Sequence, residues 1–132
     1  MKSLLAAHLA LKKHILSKLK VYGLITGQPK IMYYLYSHEG CQQKDIAEYC
    51  YVESATLSSV LSKMEKRGLI ERKRLAEDKR AYAIYIKDEA RPIFEAVNQT
   101  FDEVLKTAFD GFTEEEADEF RRYLNRVENN LK

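Results

Sequence analysis

Apolar positions along this chain fall into six stretches of helical period and two short runs of alternating period. In the first stretch, Leu4, Leu5, Leu9, Ile15, Leu16 and Leu19 mark a helix from Met1 to Tyr22 that breaks at Gly23. A second helix is expected from about Gly27 to Ser37, with Ile31, Met32 and Leu35 inward, Pro29 in its first turn and Thr26 as its cap. Gly40 ends it. Gln43 to Cys50 forms a short third helix with Ile46, Ala47 and Cys50 on one side, and Tyr51-Val52 is a tight turn. From Glu53 to Arg67, Leu57, Val60, Leu61 and Met64 repeat at i, i+3, i+4 and i+7, which makes a fourth, amphipathic helix. Gly68 supplies the left-handed stop that helix ends favour.

The alternating runs follow directly. Leu69 to Leu75 and Ala81 to Ile86 read as two strands joined by Ala76-Glu-Asp-Lys-Arg80. In the second, Tyr82, Ile84 and Ile86 alternate with Ala81, Ala83 and Tyr85, which predicts one buried and one exposed face. A fifth helix opens at Lys87 or Asp88, Asp88 being the better cap. Its stripe is Ile93, Val97, Phe101, Val104, Leu105 and Ala108, and Pro92 predicts distortion near its start. After Gly111, Thr113-Glu-Glu-Glu116 is a capping-box start for a sixth helix with Phe120, Tyr123, Leu124, Val127 and Leu131 inward. The chain is therefore mainly α with a small β-hairpin, in the order α-α-α-α-β-β-α-α. A short helix, a turn, a longer helix and a hairpin make a winged helix-turn-helix.

Size and charge narrow the function. The 132 residues make one domain, residues 1–132, with no repeats or low-complexity linker. No apolar run reaches bilayer length and the lysine-containing start lacks a signal-peptide pattern, so the expected location is cytoplasmic. Net charge is only +2, but its distribution is uneven. Residues 1–38 hold six lysines and no acid, residues 63–80 hold eight basic and four acidic side chains, and residues 88–132 hold twelve acids against six bases. The basic midsection coincides with the helix-hairpin unit, a local footprint for a polyanion. Cys41 and Cys50 flank the third helix, about 13 Å apart at ~1.5 Å per residue, too far for a disulfide. His38-Glu-Gly-Cys41 offers only three donors for zinc, so no metal or other cofactor is expected. There is no nucleophile-base-acid spacing, P-loop or dinucleotide-binding turn, and no enzyme is expected.

Nucleic-acid chemistry fits far better. The face of the fourth helix opposite its apolar stripe holds Ala55, Ser58, Ser59, Ser62, Lys63 and Lys66. Serine hydroxyls meet almost any base edge, and an alanine methyl suits the thymine methyl. No arginine lies in the first two turns of that face, so specificity must be shared with DNA shape. Lys44, Ser54 and Thr56 complete the candidate reading head, and Arg72, Lys73, Arg74, Lys79 and Arg80 make a cationic hairpin for phosphates. Such a hairpin can place an arginine in a narrow minor groove. Leu4, Leu5, Leu9, Phe101, Phe109, Phe112, Tyr123, Leu124 and Val127 leave too much apolar surface for a lone monomer, which predicts an obligate homodimer through the terminal helices. Residues 1–22 and 88–132 would be dimerisation helices, and 27–87 the DNA-binding lobe. The lysine-rich first helix and the acidic last ones are complementary in sign, so they are expected to pack within or across subunits.

Four segments carry a resemblance: Gly23-Leu-Ile-Thr-Gly-Gln-Pro29, Lys44-Asp-Ile-Ala-Glu48, Met64-Glu-Lys-Arg-Gly-Leu-Ile-Glu-Arg72 and Asp78-Lys-Arg80. In order and spacing the chain resembles the multiple-antibiotic-resistance-regulator (MarR) family along nearly its whole length, the first helix by pattern only. The resemblance implies a homodimeric winged-helix regulator, in the main a repressor, on a near-palindromic operator of double-stranded DNA. It further implies release by a small ligand, oxidant or metal. It makes Arg80 the minor-groove residue, with Asp78 orienting neighbouring arginines, unless Asp78 is only a turn residue bonding its own backbone. It places a cleft for a small aromatic or phenolic ligand near Tyr22, Tyr33, Tyr34 and Tyr36. Neither cysteine lies in the first helix, where the family's peroxide sensors carry theirs, although Lys44 near Cys41 would lower that thiol's pKa. Departures are Ile25-Thr26 before the second helix, Lys87 and Ala90 at the start of the fifth, and a short N-terminus. The rival reading is a winged-helix adaptor or antirepressor that binds protein. Cations beside the serine face argue against it.

Overall fold

The computed structural model describes residues 2–75 and 78–132, with the side chains of Asp78, Lys79 and Arg80 outside that description. Its elements are α1 (Lys2–Leu19), a 3-10 turn (Lys20–Tyr22), α2 (Gln28–Ser37), α3 (Gln43–Cys50), α4 (Ser54–Lys66), β1 (Ile70–Leu75), β2 (Asp78–Ile86), a second 3-10 turn (Asp88–Ala90), α5 (Arg91–Ala108) and α6 (Glu114–Leu131). The mainly α, winged helix-turn-helix architecture read from the sequence is the one observed.

One core serves the whole lobe. Leu19, Met32, Leu35, Ile46, Leu57, Leu61, Met64, Ile70, Ile84, Phe94 and Val97 are fully sealed from solvent. At ~1.5–3 kcal/mol for each large apolar side chain, this burial is the main force holding α2, α3, α4, the hairpin and the first half of α5 together. α5 packs on both α1 and α2, and Tyr33 stacks on Phe101 with ring centroids 4.2 Å apart. No sequence pattern singled out Phe94, which anchors the start of α5.

Local chemistry moves several boundaries. Gly27, at φ +94°, and not Thr26, caps α2, since a left-handed residue there turns the chain into the helix. Asp88 does not cap α5. It opens the second 3-10 turn, and its carboxylate lies 3.5 Å from Arg91 Nε. With α5 beginning at Arg91, Pro92 falls at a first-turn position where a missing N–H costs nothing, so it starts the helix instead of distorting it. β2 begins at Asp78 and not Ala81, and the strands pair antiparallel from Ile70 opposite Ile86 to Arg74 opposite Tyr82, with a register shift before Leu75 opposite Asp78.

Both faces of β2 are partly covered, contrary to simple alternation. Ala83 is buried because the segment before α3 runs along the free edge of β2. Gly40 N–H donates to Ile84 O at 2.8 Å, and Ile84 N–H donates to Cys41 O at 2.9 Å. The hairpin root is thereby tied to the start of the helix-turn-helix.

The sixth helix differs from expectation most. Thr113 Oγ1 accepts from Glu116 N–H at 3.1 Å and Glu116 Oε1 accepts from Thr113 N–H at 2.9 Å, the predicted capping box. Yet α6 buries no residue. Phe120, Tyr123, Val127 and Leu131 are exposed, and Leu124 is half-buried. They form a stripe that the described residues of the protomer leave largely uncovered. Phe109, Phe112 and Phe120 meet edge to face where α6 turns back from α5. No helix among the described residues is long and apolar enough to cross a membrane.

Candidate nucleic-acid interface

The supporting helix α3 is fixed at both ends. Gln42 and Asp45 form a capping box, with Gln42 N–H donating to Asp45 Oδ2 at 3.0 Å. At the other end Tyr51 adopts φ +54°, a left-handed conformation that few non-glycine residues take, and turns the chain sharply toward α4. Lys44 is exposed on the first turn of α3.

α4 turns Leu57, Leu61 and Met64 into the core, while Val60 is half-buried. With that stripe inward, Ser54, Ala55, Thr56, Ser59, Lys63 and Lys66 are exposed, and Ser58 and Ser62 are half-buried beside them. The helix ends at Gly68, φ +82°, where Gly68 N–H donates to Glu65 O and Leu69 N–H to Met64 O, both at 3.0 Å. This left-handed close lets β1 leave at once along the side of α4. Arg67 ties the same end to the base of α1: its guanidinium donates to Tyr22 O and, at 3.1 Å, to Gly23 O.

Strand register sorts the wing cations. Ile70, Arg72 and Arg74 share one face of β1, opposite Ile86, Ile84 and Tyr82. Arg74 is exposed near the tip, its guanidinium 5.5 Å from the Tyr82 ring centroid and donating to Tyr82 Oη at 3.0 Å. Lys73, on the opposite face, sits 4.7 Å from the Tyr85 ring centroid and 3.4 Å from Glu71. Each ring attracts its cation through its π face.

Arg72 departs from the expected phosphate role. Its side chain is only 15% exposed, and its Nη2 donates to Ser62 Oγ at 2.8 Å. It is a strut between the hairpin and α4. Sequence reasoning grouped it with the free cations because a strand position gives no sign of what lies across from it. The side chains of Asp78, Lys79 and Arg80, and with them the expected minor-groove contact, lie outside the described residues.

The tyrosines expected around a ligand are divided: Tyr34 stacks on Tyr49 and lines with it, Tyr51 and Glu128 an open recess of about 710 Å³. Tyr33 is committed to its stack with Phe101, and Tyr22 and Tyr36 are solvent-exposed. A cleft of about 200 Å³ lies instead between α1, the start of α2 and α5, lined by His8, Leu11, Lys12, Ile15, Lys30 and Phe101 among others. Cys41 is not an activated thiol: burial, then the nearby Asp45 carboxylate, push it up to about 11. Lys44 does not lower it as its proximity in sequence suggested. Cys50 is likewise raised by burial. Among the described residues no three His, Cys, Asp or Glu side chains converge on a metal position. Glu39, next to His38, is instead held by Arg91 at 2.8 and 3.0 Å and accepts from Ile86 N–H.

This arrangement matches known proteins. An organic hydroperoxide resistance transcriptional regulator from Bacillus subtilis (strain 168) is 40% identical over 55 residues, 42% of this chain and 37% of that relative's length. A MepR–DNA complex from S. aureus superposes with a TM-score of 0.86 at 26% identity, covering 100% of this chain and 99% of that one. A putative MarR family transcriptional regulator from Listeria monocytogenes, complexed with 26mer DNA, shares the fold at a TM-score of 0.92 and 20% identity, covering 98% and 87%. The MarR family model matches residues 24–82. That segment holds α2, the helix-turn-helix, β1 and the first half of β2, and over it the chain is similar to the MarR family.

Proposed function

We propose that the protein is a homodimeric, sequence-specific DNA-binding transcriptional regulator, acting as a repressor on a near-palindromic operator. The observation that carries this reading is the polar face of α4, with Ser59, Lys63 and Lys66 exposed and Ser58 and Ser62 half-buried, joined to the hairpin by the Arg72–Ser62 hydrogen bond. Inserted in the major groove, Ser58, Ser59 and Ser62 face base edges, Ala55 meets a thymine methyl, and Lys63, Lys66 and Lys44 reach the flanking phosphates. DNA complexes of two proteins with this fold support that use of it.

Dimerisation belongs to the same reading, with residues 1–22 and 88–132 as the pairing helices and 27–87 as the reading lobe. Leu4, Leu5, Leu9, Phe112, Tyr123 and Val127 are exposed on one chain, and a second copy is the natural cover for them. Leu124 and Phe109, half-buried, would join that seam, while Phe101 already serves its own core. Two-fold pairing would set the recognition helices about one DNA turn (~34 Å) apart. A small aromatic or phenolic ligand would act from the α1-α2-α5 cleft, whose Lys12 and Lys30 suit an anion. At about 200 Å³ that cleft fits one ring better than a drug-sized molecule, for which ~300–1,000 Å³ is usual.

The test is selection of bound sequences from random duplex DNA at near-physiological salt. A palindromic motif with half-sites about ten base pairs apart is the expected result. No enrichment, with or without added phenolic acids or zinc, would favour the adaptor that binds protein.

A further inference from the structure

We propose that Arg72 determines specificity at a distance: it holds Ser62 of the recognition helix as a hydrogen-bond donor toward DNA, so that Ser62 selects an acceptor base edge. The inference rests on the DNA-binding reading above and adds to it a rule for one base position.

Arg72 is placed as few surface arginines are. It lies on the β1 face that carries Ile70 and pairs with Ile84, both sealed in the core. Its neighbour Lys73 is 62% exposed against its own 15%. Nη2 makes the 2.8 Å bond to Ser62. Nε is buried and hydrogen-bonds none of the described residues. Glu65 Oε1 is 3.7 Å from it, close enough to balance charge but too far for a hydrogen bond. A buried donor without a partner is a cost that an apolar side chain would avoid, so stability alone does not account for an arginine here.

The consequence falls on Ser62. A hydroxyl carries one donor and two acceptor sites, and left alone it reads either kind of base edge. Ser59, exposed and bonded to no described residue, is in that state. In Ser62 a guanidinium occupies the oxygen from the protein side, and Ser62 itself donates to no described residue. That bond fills one of the two acceptor sites, and polarisation by the cation strengthens the hydroxyl hydrogen as a donor while weakening the remaining lone pair as an acceptor. In the major groove guanine offers N7 and O6, adenine N7 and thymine O4 as acceptors, whereas cytosine offers only a donor amine. The base facing Ser62 should be anything but cytosine, with guanine favoured for its two acceptors.

Selection and competition binding on single-base variants of the enriched site test this with wild type, Ser62→Ala, Ser62→Thr, Arg72→Lys, Arg72→Met and the Ser62→Ala/Arg72→Met double variant. Wild type should discriminate against cytosine at one position by roughly fivefold, the net worth of one hydrogen bond. Ser62→Ala and Arg72→Met should flatten that position alone, and the double variant should flatten it no further. Ser62→Thr keeps the hydroxyl and should keep the preference; Arg72→Lys keeps a cationic donor and should restore part of it. Should Arg72→Met fail to fold, the Ser62→Ala and Arg72→Lys profiles decide by themselves. The proposal fails if Arg72 variants weaken all sites equally, or if Ser62→Ala flattens a position that Arg72→Lys and Arg72→Met leave intact. Absence of any wild-type motif overturns it together with the DNA-binding reading, whereas a motif unaffected at this position overturns the Arg72 role alone.

Discussion

α4 and α6 are both amphipathic helices, of 13 and 18 residues, yet they are stabilised in opposite ways. α4 has no side-chain cap at its N-terminus, and its three inward residues are fully buried. α6 has a complete capping box and three glutamates in its first turn, and it buries nothing. Packing holds the first; local chemistry holds the second until something covers it. The difference follows their proposed duties. A reading helix must keep its polar face in one orientation, which burial of the other face enforces. A pairing helix must leave its apolar face available, so its helical form has to come from within.

The comparison can be broken hardest at α4. Leu61 is fully buried between α4 and the rest of the lobe, and Leu61→Ala should cost about 2–5 kcal/mol through lost burial and the cavity left behind. Urea unfolding followed by circular dichroism would read this as a lower midpoint at unchanged slope. A loss under about 1 kcal/mol would mean that α4 is not held by packing.

The same experiment on α6 should look different. Val127→Asp puts a charge into the exposed stripe, where a single chain tolerates it and a paired one does not. Self-association should weaken about a hundredfold, ~2.7 kcal/mol, with the helical spectrum retained in the dissociated chain. Sedimentation would then report the 15.4 kDa of one chain. An unchanged oligomer would remove α6 from the interface.

These two helices also show what was legible beforehand. Hydrophobic period located both, and Thr113 with Glu116 announced the start of α6 outright. Period gives the direction of the apolar face and not its cover, so it points Tyr123 and Val127 inward where the protomer leaves them exposed. The polar face of α4 was legible for a related reason: once Leu57, Leu61 and Met64 are inward, geometry alone turns Ser59 and Lys63 out. The wing was legible in composition but not in detail. Arg72 and Arg74 are the same residue two positions apart on one strand face. One meets Ser62 because β1 leaves Gly68 alongside α4; the other, two residues nearer the hairpin tip, donates to Tyr82. Contacts so distant in sequence leave no local mark, and the buried Ala83 is a further case, covered by a segment 41 residues upstream.

The finest contrast is at the caps. Thr113→Ala removes the oxygen that accepts Glu116 N–H and leaves Glu116 to reach Thr113's backbone alone. The expected cost is about 1 kcal/mol, the usual loss for a threonine cap. Since α6 has no burial to fall back on, the loss should appear first as fraying of its opening turn, seen as faster amide exchange at the N–H groups of Glu115, Glu116 and Ala117. It should appear second as weaker self-association, because the pairing surface must then be ordered at the moment of contact. The matching change in α4, Glu53→Ala, removes no cap bond and should leave exchange in that helix unaltered. If Thr113→Ala proved equally silent, α6 would have to be held by contacts along its length, and the division between a packed helix and a capped one would be lost.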